Sequence, residues 1–78
     1  MIKNNLKYYI NEIKKKHNIR LYEEIAIMFN ITRVSLNNYM QNRSQPYIHN
    51  IFYIRNVICE KLNIKKEDLP LEKLFFEE

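Results

Sequence analysis

The chain has 78 residues, 46% hydrophobic and 28% charged, with a formal net charge of +4, two prolines, one cysteine and no glycine. That is enough for one domain with one small core, and too apolar for a disordered segment. No apolar run approaches the ~18 residues of a membrane span, and the lone Cys59 can form no internal disulfide and has no partner for a metal site.

Spacing at the helical period recurs along the chain, and strand alternation is almost absent. A first helix is expected over about Asn5–His17, with Leu6, Tyr9, Ile10 and Ile13 on one face and lysines on the other. The lysines also interrupt MIKNNLKYYINEIKKK, which therefore lacks a signal-peptide core and points to a reducing, cytoplasmic setting. HNIR ends this helix. The second, YEEIAIMF, turns Ile25, Ala26 and Phe29 inward and places Glu23 and Glu24 in its first turn, where the helix dipole favours acids. Asn30 follows at a position suited to a left-handed stop, which asparagine tolerates best after glycine. Ile31 packs inward and Thr32 caps the third helix, RVSLNNYMQ. Leu36 faces the core, and Tyr39 reads as core rather than contact. Asn42 is expected to close this helix as Asn30 closes the second. NRSQP is a loop ended by Pro46. The fourth helix runs from Tyr47 or Ile48 to about Leu62 along Ile51, Ile54, Ile58 and Leu62. NIKKEDL holds one turn, and Pro70 at a first helical position opens a last helix, LEKLFFEE. The expected product is an all-α, compact bundle of five short helices forming a single domain over 1–78, with its core in 5–69 and a tail at 70–78.

Charge divides unevenly. Residues 1–50 carry eight bases against three acids, whereas residues 51–78 carry five against six. The first part is suited to a negative partner. A helix, a turn of about three residues and a steeply set second helix can place the second in a major groove. That arrangement needs a small residue at the crossing (Ala26), a residue tolerant of positive φ (Asn30), an apolar pin (Ile31) and bonding groups on the outer face.

Residues 21–46, LYEEIAIMFNITRVSLNNYMQNRSQP, resemble the helix-turn-helix of the phage Cro and cI-type repressor family. The resemblance rests on Glu23-Glu24-Ile25-Ala26, Ile31-Thr32-Arg33, Leu36, Tyr39 and Pro46. Asn30 and Asn42 stand where that family favours glycine, Leu21 where it uses a Ser or Thr cap, and Tyr22 where it commonly has Gln. The resemblance implies a lambda-repressor-like domain that binds double-stranded DNA, and a Cro-like regulator, by default a repressor, on a short two-fold operator. Carried over by position, Arg33, Val34, Asn37 and Asn38 face the bases. Arg33 suits guanine, either asparagine adenine, and Val34 a thymine methyl. Tyr22, Ser35, Asn42 and Arg43 face phosphates, with Lys14–Lys16 and Arg20 adding long-range attraction. The plainer alternatives are a solvated first-turn Arg33, asparagines that merely reflect composition, and lysines that complement a helix end.

Leu69, Leu71, Leu74, Phe75 and Phe76 crowd the tail with more apolar surface than a small core is expected to cover. Leu71, Leu74, Phe75 and Phe76 are therefore the expected homodimer interface; the alternative folds the tail back over the first and fourth helices. A dimer would set two recognition helices about 34 Å apart. A competing reading keeps the bundle as an antitoxin-like or regulator-binding protein-interaction module. No membrane partner, small-molecule ligand or cofactor is expected. No nucleophile–base pair, glycine-rich phosphate loop or acidic cluster suggests an enzyme.

Overall fold

A computed structural model describes residues 1–78. In chain order its elements are β1 (Ile2–Asn4), α1 (Leu6–His17), α2 (Tyr22–Met28), α3 (Arg33–Met40), α4 (Ile48–Leu62), a 3-10 turn (Lys66–Asp68), α5 (Leu71–Leu74) and β2 (Phe75–Glu77). Five α-helices dominate, with bounds close to those read from periodicity. Helical spacing also places the core: Leu6, Ile10 and Ile13 line the inner side of α1, while Ile54 and Ile58 do so on α4. Ile25 and Phe29 from the α2 segment and Leu36 from α3 meet them, and all eight are fully or almost fully buried. Ala26, 3% exposed, lies in the same core.

The chain ends its helices without glycine. Asn18, Asn30, Asn42 and Asn63 all have positive φ, between 54° and 60°. Each supports the same closure, in which the following amide donates five residues back. Ile19 bonds Lys14 O, Ile31 bonds Ala26 O, Arg43 bonds Asn38 O and Ile64 bonds Cys59 O, at 2.9–3.0 Å. Three of the four stops read Asn-Ile, and Ile19, Ile31 and Ile64 pack against the core. This is the apolar contact that accompanies a left-handed helix stop. Asn30 and Asn42 were expected in this role; Asn18 and Asn63 extend it.

The fold departs from an all-α bundle at its two chain ends. β1 and β2 pair antiparallel in the register Ile2↔Glu77, Lys3↔Phe76 and Asn4↔Phe75. Asn5 N–H donates to Leu74 O at 2.9 Å beside this pairing. The last helix is correspondingly shorter than expected. Pro70 is its N-cap rather than its first helical residue, and Phe75 is already extended at φ −127°, ψ 121°. Pairing with β1 holds the aromatic pair in the extended conformation that such residues favour.

The tail expectation is corrected with it. Leu74 is 0% exposed and Leu69 1%, so both are core residues and Leu74 is not free to form an interface. Leu71, Phe75 and Phe76 are half-buried. α5 packs on α4, and the core therefore reaches from Asn4 to Leu74 rather than stopping at residue 69. A domain this small leaves few apolar side chains to spare, and closing its own core claims these.

Candidate functional site

α3 starts on a capped turn. Thr32 Oγ1 accepts from the Ser35 amide at 3.0 Å, and its own hydroxyl donates to Ser35 Oγ at 3.0 Å. Leu36 and Tyr39 then bury one side of the helix, which leaves 33, 34, 37 and 38 on the other. Val34 is 68% exposed, while Arg33, Asn37 and Asn38 are partly exposed. Four of the proposed base-facing side chains thus share one face.

Arg33 does not extend freely into solvent. Its guanidinium carbon lies 5.0 Å from the Tyr22 ring centroid, and its Nε lies 3.9 Å from Glu23 Oε1. Nη1 donates to Asn37 Oδ1. An ion pair this exposed contributes little stability. Its effect is to choose a direction: an aromatic face, a carboxylate and an amide hold the guanidinium along the α2–α3 junction. Tyr22 also carries Lys14 Nζ 3.7 Å from its ring centroid, a cation–π arrangement. The Tyr22 hydroxyl donates to Asn11 Oδ1 at 3.1 Å. Beside it, Asn11, Lys14, Lys15 and Ile19 line an open cleft of about 340 Å³.

The phosphate-facing expectations divide accordingly. Ser35 Oγ accepts a hydrogen bond from Thr32, so its own hydroxyl proton remains available. Arg43 is exposed, with Nη1 donating to Asn38 Oδ1 at 3.4 Å and Nη2 to Gln41 Oε1. Tyr22 has already given its hydroxyl proton to Asn11, and a phosphate offers only acceptors, so its place is a platform under two cations. Asn42 is corrected more firmly. Its Oδ1 accepts from Asn4 N–H at 2.7 Å and from Gln45 Nε2 at 3.0 Å, and its Nδ2 donates to Asn4 O at 3.4 Å. The amide acts as a substitute strand along the open edge of β1, facing the fold rather than a ligand. Gln45 Nε2 donates to Ile2 O at 3.2 Å on the same edge.

Asn4 completes this network and was invisible to periodicity. It is 6% exposed and is the buried polar residue of the core. Its Nδ2 donates to Tyr39 O and Gln45 Oε1, both at 2.8 Å, and its Oδ1 accepts from Leu6 N–H at 2.9 Å. One side chain thereby caps α1 and ties down the C-terminal end of α3. Lys14 is likewise singled out from the Lys14–Lys16 run only by what lies beside it.

Two titratable groups away from this face are shifted by burial. Burial pushes the Cys59 thiol above its ordinary value, which makes it less reactive. Desolvation, reinforced by the neighbouring Tyr8, raises the Tyr9 hydroxyl as well. No three His, Cys, Asp or Glu side chains cluster as a metal site. No helix is long and apolar enough to cross a membrane. Comparison of the chain with protein-family models, with curated proteins and with solved structures returns no match.

Proposed function

We propose that the chain is a sequence-specific DNA-binding regulator, a Cro-like repressor that binds a short two-fold operator as a dimer. In this reading α2, the turn at Asn30-Ile31-Thr32 and α3 form a helix-turn-helix unit with α3 as the groove-entering helix. The observation that carries it is the shared outer face of Arg33, Val34, Asn37 and Asn38, flanked by Lys14 and Arg43. A guanidinium held by Tyr22 and Glu23 keeps few of its rotamers, so presenting it to a guanine edge costs less ordering entropy. The Arg33–Asn37 bond is exchanged for base acceptors as the two side chains meet the groove. Lys14, Ser35 and Arg43 then meet phosphates, which fix register without reading sequence. Repression follows from occupying the operator against polymerase.

Selecting bound sequences from a random duplex pool, then titrating the winner against salt, tests this directly. The expected result is an enriched two-fold sequence, with log K falling by roughly 0.9 per phosphate contact for each unit of log salt. Equal affinity for random duplex, or no salt dependence, rejects it.

A second reading, a protein-interaction module, draws on the exposed apolar first half of α4. Activity that survives Arg33→Ala and Asn38→Ala but not substitutions on α4 would favour it.

A further inference from the structure

The apolar surface left open by this fold is on α4, not on the tail. Ile48 is 72% exposed and Phe52 45%, one helical turn apart, with Tyr53 and Tyr47 beside them in sequence. The Tyr47 ring stacks on His49 at 6.2 Å between centroids. Tyr53 hydroxyl donates to Met28 O at 3.3 Å, which joins this surface to the end of α2 where Ile27 is exposed. A helix that carries apolar side chains outside its core-facing stripe leaves them for another surface to cover. The inner side of α4 is covered by the core, and its outer side in the first half is bare.

The stretch that builds it on α4 is also uncharged. Residues 44–54, SQPYIHNIFYI, contain no Asp, Glu, Lys or Arg. The charges that bracket the stretch are turned away from it. Arg43 is bonded to Asn38 and Gln41, and Arg55 donates to Asn56 Oδ1 at 3.0 Å and Leu69 O at 3.4 Å.

We infer that the first half of α4, centred on Ile48 and Phe52, is the face on which a second copy of this chain docks. Two copies with a net charge of +4 each repel wherever basic faces meet. A neutral apolar face avoids that penalty and is compatible with itself, as a two-fold contact requires. Ile48 and Phe52 form an i, i+4 ridge of the kind that packs into the matching groove of a second helix.

The choice of occupant rests on the DNA-binding reading, in which a two-fold operator calls for two copies of the chain. The five exposed side chains offer on the order of 600 Å², below the ~800 Å² per partner of a standard interface. The contact therefore lies at the small end of the range for a specific dimer.

Sedimentation velocity of the full chain without DNA, over a concentration series, tests the inference. Wild type is expected to shift from monomer to dimer with concentration, and Phe52→Lys to weaken dimerisation more than tenfold. Tyr8→Lys, on α1, leaves the dimer intact. Both positions are exposed, and an unchanged thermal melt confirms folding of each variant. A Phe52→Lys variant that dimerises like wild type overturns the inference, and so does a wild type that stays monomeric throughout. Duplex binding is measured separately. A monomer that binds duplex overturns this interface and leaves the regulator standing; a Phe52-dependent dimer that ignores duplex does the reverse.

Discussion

Near its start α3 carries Arg33 and Asn37, bonded to each other at the partly exposed edge of the fold within reach of Tyr22 and Glu23. At its C-terminal end the buried Asn4 side chain meets Tyr39 O, and just beyond the helix Asn42 and Gln45 close the partly exposed edge of β1. The two ends use the same chemistry, amides and their partners, at very different cost of rearrangement. A surface hydrogen bond can be traded for one to water or to a ligand at almost no net cost. Breaking a buried one leaves a desolvated donor or acceptor behind, worth about 1–3 kcal/mol each. The first end is therefore free to exchange partners, while the last end holds the helix in place so that it can.

The contrast is broken most severely at the tail that backs the fixed end. Leu74→Ala should cost about 2–5 kcal/mol, since the side chain is wholly buried. In a domain of this size that amounts to much of the total stability, and chemical denaturation should show a largely unfolded population. A tail that merely awaited a partner would tolerate the change.

Asn4→Ala strikes the network itself. It deprives Tyr39 O and the Leu6 amide of their partner, with an expected loss of about 2–3 kcal/mol by thermal or urea unfolding. A loss below about 0.5 kcal/mol would mean that the two ends of α3 are not different in kind.

Arg33→Ala should behave in the opposite way. Stability is expected to stay within about 0.5 kcal/mol of wild type. Discrimination between the selected duplex and one altered at the matching guanine should fall by about 1–3 kcal/mol in competition binding. Equal loss of stability and discrimination would place Arg33 with the fixed end.

The smallest effects sharpen the comparison furthest. Asn30 and Asn42 share a left-handed backbone, with φ of 57° and 60°. Asn30 is exposed, so Asn30→Gly should gain up to about 1 kcal/mol by relieving positive φ. Asn42→Gly gains the same relief but forfeits the bonds to β1, and should cost about 1 kcal/mol net in urea unfolding.

Much of this molecule was legible from residues close together in the chain. The inward positions of α1 to α4, the Thr32 cap and the stops at Asn30 and Asn42 follow from a 3.6-residue period and the backbone tolerance of asparagine. Three Asn-Ile pairs would have located three of the four stops had the dipeptide been read as a unit. The shared outer face of Arg33, Val34, Asn37 and Asn38 follows from the same period. β1 was not legible, because three residues are too few to show alternation. Nor was the covered tail, because LEKLFFEE fits a helix until a strand partner competes for its end.

For α1 to α4 the sequence by itself determined where the helices start, which side turns inward and where they stop, because those outcomes depend on neighbours within about five residues. Tertiary structure alone decided that Asn42 serves β1, that Leu74 is core and that the open apolar face belongs to α4. Asn42 and Asn4 stand 38 residues apart. Whether an amide meets a strand edge, a phosphate or water depends on what the fold brings beside it, and separation of that length leaves no period to read.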